Sequence, residues 1–181
     1  MSAEAKKNID EQREKEDRLA GLYDDYFDRI ARYIYLRLGD WHEAEDLAGD
    51  VFVKALESLK SYKERGIPMQ AWLFRIAHNV SVDRSRRKGR ITTVPIDTVP
   101  IAAREDPVAT TEKSLEMERV NEAMQELTPE QREVVRLRFF GGLSSKEVGA
   151  MLKKSDGAVR EMQRAAVEKL RGLLTGGRPD F

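Results

Sequence analysis

The side chains whose types and spacing could do chemistry in this 181-residue chain are suited to gripping nucleic acid rather than to breaking bonds. From Ser144 to Leu174, a short apolar-periodic segment, a tight turn at Lys153-Lys154-Ser155 and a longer periodic segment make a helix-turn-helix pattern. The second helix presents Arg160, Glu161, Gln163, Arg164 and Glu168 outward. Arginine and glutamine can bond base edges in the major groove, and a helix N-terminus offers free N–H groups to a phosphate. On residue types alone, the pattern equally fits two helices of an ordinary bundle. A second constellation runs from Leu59 to Arg90, where the loop SYKERGIPMQ leads into a helix with an aromatic start (Trp72, Phe74) and a basic exposed side. Rings can stack on unpaired bases while basic side chains neutralise the backbone. The plainer alternative is that Trp72, on the apolar face, belongs to the core and the basic tip is merely solvated.

Bond-breaking chemistry has few candidates. His42 and His78 are the only histidines, and cysteine is absent, so disulfides and thiolate metal sites are excluded. No zinc-protease, nucleophile-elbow, dinucleotide or phosphate-cradling glycine pattern occurs. We therefore expect no catalytic residue, metal, cofactor or ATP use. No apolar run approaches the roughly 18 residues of a membrane span, and the N-terminal segment lacks a signal-peptide core, so a cytoplasmic protein without membrane insertion is expected.

The charges balance at 32 basic and 32 acidic residues, which taken alone argues against a nucleic-acid binder. Their distribution says more. Residues 19–50 hold eight acids and three bases, residues 66–90 six bases and one acid, and residues 141–181 eight bases and five acids. Such polarisation suits two differently charged partners.

The elements that must position these groups are all helical. Leu22, Tyr26, Ile30, Tyr33 and Ile34 recur at helical spacing up to a stop at Gly39. Asp40 and Glu43 then read as a capping box opening a second helix, which should end near Tyr62. A third runs from about Met69 to Lys88, with Trp72, Leu73, Ile76, Ala77 and Val80 inward and a basic last turn outside the core. Pro95, Pro100 and Pro107 forbid a long helix over residues 89–112, which reads as an extended linker. Thr128-Pro129-Glu130-Gln131 is a helix start with a capping box, and that helix stops at Gly141-Gly142. Ser144 or Ser145 caps the next helix and Ser155 the last.

Three segments in this order, LYDDYFDRIARYIYLRLGDWHEAEDLAGDVFVKALESLKSY, AWLFRIAHNVSVDRSRRK and LTPEQREVVRLRFFGGLSSKEVGAMLKKSDGAVREMQRAAVEKLR, resemble a bacterial RNA polymerase sigma factor. The compact extracytoplasmic-function group, with only regions two and four, fits best. The resemblance spans about Leu19 to Leu174. It implies an all-α chain of two small helical domains joined by an extended linker. The divisions would be an N-terminal extension (1–18), region two (19–90), the linker (91–112), region four (113–176) and a tail (177–181). The implied function is binding of core polymerase, through its largest and second-largest subunits, and promoter recognition at the minus-ten and minus-thirty-five elements. An anti-sigma factor is a candidate further partner. The competing reading is a stand-alone helix-turn-helix regulator, which would bind paired half-sites as a dimer.

The resemblance also implies site residues. The acidic helix that docks on the polymerase corresponds to Glu43, Glu45, Asp46 and Asp50. Ser61, Tyr62 and Lys63 lie in the loop that holds a base flipped from the minus-ten element. Arg75, His78, Asn79, Asp83, Arg84, Arg86 and Arg87 lie on the helix facing the opened strand, with His78-Asn79 where the family often has Arg-Asn. For the minus-thirty-five duplex the matching residues are Arg160, Glu161, Gln163 and Arg164, with Ser155 and Lys169 near phosphates. The chain departs from the pattern at Lys153, where the turn usually has glycine, at Lys154, usually apolar, and at Met162 and Ala165, where arginine is frequent. The four linker acids Asp97, Glu105, Asp106 and Glu112 could mimic nucleic acid in the polymerase cleft or simply belong to a tether.

Overall fold

The computed structural model describes residues 3–64, 66–89, 119–120 and 122–176, and no strand occurs among them. Helix α1 (Ala3–Leu38) is longer than the apolar periodicity requires, because the extension expected over residues 1–18 continues it from Ala3. It ends where Gly39 adopts φ 80° and donates its N–H to Tyr35 O at 2.9 Å. Helix α2 (Trp41–Ser58) starts at Asp40, whose carboxylate accepts from Glu43 N at 2.9 Å. The expected capping box is only half formed. Glu43 does not reach back to Asp40 but turns to Arg84 and Lys88, since two cations offset its charge better than one N–H. A 3₁₀ turn (Leu59–Ser61) closes α2, and α3 (Met69–Lys88) ends on Gly89 at φ 61°.

The second half opens as its sequence predicts. Thr128 and Gln131 form a reciprocal capping box at 3.2 and 3.1 Å on α4 (Pro129–Val135). The helix then widens into a π turn (Arg136–Phe140), in which Gly141 N bonds Arg136 O at 3.0 Å. Helices α5 (Ser145–Leu152) and α6 (Asp156–Thr175) follow, capped by Ser144 and Ser155. The segments assigned to the linker (91–112) and the tail (177–181) lie outside the described residues.

Lys153 occupies the turn between α5 and α6 at φ 56°, ψ 45°, the left-handed conformation that glycine adopts most easily. A side chain with a Cβ costs roughly 1 kcal/mol more than glycine in that region. Lys153→Gly should therefore raise the stability of the second half by about 1 kcal/mol. Chemical denaturation followed by circular dichroism reads this, and a loss of stability would show that the lysine side chain more than offsets its strained backbone.

The two halves are packed against each other, a feature the sequence pattern did not anticipate. The core runs from Ile30, Tyr33 and Ile34 of α1 through Leu73 and Phe74 of α3 to Val134 and Leu137 in the second half. Gly141 sits at this contact with no room for a side chain: a Cβ there would lie 2.6 Å from Leu137 O and 3.3 Å from Phe74 Cε1. Helix α3 is consequently covered on two sides. Met69, Ala71, Leu73, Phe74, Ala77 and Ser81 are buried, while Trp72, Ile76 and Val80, expected to point inward, are only half-buried. This corrects the reading of Phe74 as a ring free to meet bases. It is fully buried edge-on to Tyr33 (centroids 5.6 Å apart) and Tyr26 (6.3 Å).

Candidate nucleic-acid interface

A buried carboxylate joins the halves. Glu133 of α4 is 7% exposed and accepts hydrogen bonds from Tyr33 Oη and an Arg37 Nη of α1. His78 Nδ1 of α3 lies 3.1 Å from the same carboxylate and 3.0 Å from Tyr33 Oη. Arg136 stands 3.7 Å away and donates to Leu36 O at 3.2 Å. Burial alone would raise the Glu133 pKa, but the His78 hydrogen bond, the Arg37 charge, the Tyr33 hydroxyl and Arg136 outweigh it and hold the pKa at about 2. The same burial, with the neighbouring carboxylate, pushes the Tyr33 phenol well above its ordinary value. Gln70 and Glu147 add a weaker link at 3.2 Å. Glu133 was missed in the sequence, where it is one acid in an amphipathic helix and its partners Tyr33, Arg37 and His78 stand 55 to 100 residues away.

The structure divides the four acids expected to bind polymerase. Asp46 and Asp50 are exposed and Glu45 is half-exposed on α2, opposite the buried Ala44, Ala48 and Val51. Glu43 differs: its side chain is 11% exposed and clamped between Arg84 and Lys88. Burial would raise its pKa, but the hydrogen bonds and charges of these two cations lower it. Glu43 therefore ties α2 to the end of α3 and contributes little free negative charge to the surface.

Of the residues expected at the minus-ten element, Ser61, Lys63, Arg75, Asn79, Asp83, Arg84, Arg86 and Arg87 are all exposed. Two are not. Tyr62 is 5% exposed, tilted against Trp72 at a centroid distance of 4.7 Å, and donates to Ile67 O at 3.1 Å across the loop. It shapes the loop and does not present its ring. His78 is half-buried and engaged by Glu133, because the second half packs onto that side of α3. Residue 65 lies outside the described residues.

On α6, Arg160, Glu161 and Arg164 are exposed and Gln163 is half-exposed. Arg160 pairs with Asp156, and Arg164 lies between Glu161 (2.5 Å) and Glu168 (2.6 Å). These hydrogen bonds and charges raise the Arg164 pKa and lower that of Glu161. Gln163 Oε1 accepts from Arg138 Nε at 2.8 Å, and Lys169 donates to Glu126 O. The Ser155 hydroxyl accepts from Ala158 N at 3.1 Å as the cap. The outer face thus holds guanidinium groups in exposed pairs that exchange readily, since such pairs contribute little individually.

Comparison with known proteins agrees with this layout. Residues 22–91 match Sigma-70 region 2, and residues 123–172 match Sigma-70 region 4. The extracytoplasmic-function (ECF) RNA polymerase sigma factor BldN of Streptomyces coelicolor is 35% identical over 161 residues, covering 87% of this chain and 61% of its own length. The ECF RNA polymerase sigma factor SigD of Mycobacterium tuberculosis is 32% identical over 148 residues, covering 78% of this chain and 70% of its own. The solved structure of CnrH in complex with the cytosolic domain of CnrY superposes with a TM-score of 0.59 at 27% identity, over 90% of this chain and 88% of that one. With both sigma regions in order and relatives above 30% identity, one of them matched over 70% of its own length, the chain belongs to the extracytoplasmic-function group of RNA polymerase sigma factors, the class of subunit that directs transcription from promoters.

Proposed function

We propose that this chain binds core RNA polymerase through the acidic face of α2 and contacts promoter DNA at two places. The loop after α2 and the basic side of α3 meet the minus-ten element, and the outer face of α6 meets the minus-thirty-five element. The observation that carries this is the separation of charge onto exposed faces: Asp46 and Asp50 on α2, Arg84, Arg86 and Arg87 on α3, and Arg160 and Arg164 on α6. Acids suit a basic protein surface, and the arginines suit phosphate and base edges. The subunit works by binding alone, in the cytoplasm, and performs no covalent step. Among the described residues no helix is long and apolar enough to cross a membrane.

Both contacts cannot be made in the packed arrangement. The two promoter elements lie about 25 base pairs apart, or about 85 Å at about 3.4 Å per base pair. Two halves that share the Glu133 cluster cannot span that distance, so they part on promoter binding and the segment between them spaces them. Parting frees His78 for the opened strand. Because CnrH is solved with the cytosolic domain of CnrY, we also propose that this chain has a protein partner of its own, an anti-sigma factor.

Purified protein added to core polymerase should yield transcripts from a specific subset of genomic fragments, which neither component yields alone. Failure of the chain to associate with core polymerase in a pull-down would end this reading.

A further inference from the structure

The N-terminal part of α1 lies outside the region 2 match, which begins at residue 22, yet it reaches the loop assigned to base capture. Lys15 Nζ donates to Tyr62 O at 3.2 Å. One turn on, Arg18 forks onto Glu64, with Nη1 to Oε2 at 2.9 Å and Nη2 to Oε1 at 3.2 Å. The Glu64 pKa is lowered by this hydrogen bond and charge, and that of Arg18 is raised. The next residue, Leu19, is 5% exposed and anchors the helix to the core. The loop is fastened on its other side by the Tyr62 ring against Trp72 and by the Tyr62 hydroxyl to Ile67 O. Lys63, between these anchors, and Ser61, just before them, remain exposed.

We propose that Lys15 and Arg18 are positioning residues for the base-capture loop. The loop is short, contains Gly66 at φ 80°, and has no secondary structure of its own from Tyr62 to Glu64. A loop that must receive an unstacked base binds it more tightly when its ordering precedes the encounter. The bidentate fork fixes direction as well as distance, which a lysine at position 18 could not do equally well. Lys15 holds the backbone at Tyr62 while Arg18 holds the side chain two residues later, so Lys63 has a defined outward direction. This inference rests on the proposed base-capture role of the loop.

The test uses full-length protein assembled with core polymerase on a promoter fragment selected by the wild-type holoenzyme. Closed-complex affinity and the rate of strand opening, read by permanganate reactivity of unpaired thymines, are measured separately. Arg18→Ala should slow opening about three- to fivefold, the scale of an exposed pair, and leave closed-complex affinity unchanged. Lys15→Met with Arg18→Met should slow it about tenfold, two such contacts together. The charge swap Arg18→Glu with Glu64→Arg should restore opening to within about twofold, which a helix that merely adds stability would not do. Thermal unfolding of each variant shows whether the fold is retained.

Lys63→Ala separates the two ideas. If Lys63→Ala slows opening while the Arg18 variants and the swap behave as wild type, the brace is wrong and the loop assignment stands. If Lys63→Ala also has no effect, the loop assignment itself is overturned, and the brace with it.

Discussion

Glu133→Gln is expected to loosen the two halves from each other at a cost of about 3 kcal/mol, the scale for removing one partner from a buried charge cluster. Glutamine can still accept from Tyr33, but it leaves Arg37 and Arg136, with side chains 18% and 14% exposed, facing each other without a counter-charge. Each half retains its own apolar packing: Ile34, Val51, Leu59 and Leu73 in the first, Leu137, Leu143, Val148 and Val159 in the second. Helical content should therefore persist while the radius of gyration in small-angle scattering rises and thermal unfolding splits into two steps. Acid should do the same to the wild-type protein. A carboxyl whose pKa falls from 4.5 to about 2 on folding contributes fully above pH 4.5, and its contribution erodes as pH drops towards about 2. The variant lacks that dependence at this position. An unchanged radius and a single transition in Glu133→Gln at neutral pH would show that the apolar contact around Phe74 and Gly141 holds the halves without the carboxylate.

Much of the architecture is written locally. Gly39, Thr128 with Gln131, Ser144 with Glu147, and Ser155 each act within four residues of themselves, so the helix boundaries follow from the chain read in order. Lys153 is similarly local: a turn that needs positive φ shows itself by where glycine is customary. What could not be read depends on distant partners. The burial of Phe74 requires the second half to cover α3, and one helical period cannot announce two covered faces. His78 was placed on the strand-facing side of α3, but its neighbour is an acid 55 residues on. The Arg18–Glu64 pair spans 46 residues, from a helix extension with no apolar stripe to mark it. The exposure of the candidate site residues on the helices was legible because surface faces follow from helical period. The orientations of Tyr62 and Glu43 could not be read in the same way, because each turns to a tertiary partner.

That difference within the acidic helix gives the second large effect. Reversing Glu45 and Asp46 to lysine changes the exposed α2 face by four charges without touching a partner in the fold, since among the described residues neither forms an ion pair while Glu43 forms two. Core-polymerase affinity should fall at least tenfold, about 1.4 kcal/mol. Most of the loss should appear in the association rate, because rim charges steer encounter more than they hold the complex. Raising salt should weaken the wild-type complex steeply and the variant much less, as screening removes an attraction the variant no longer has. The unfolding temperature and scattering radius should not move. Glu43→Lys should show the opposite pattern: loss of the clamp to Arg84 and Lys88 lowers the unfolding temperature, with three cations crowded where a carboxylate stood. If Glu45→Lys with Asp46→Lys lowers stability as much as Glu43→Lys does, the acids serve the fold and not the polymerase, and the docking face must be sought elsewhere on the molecule.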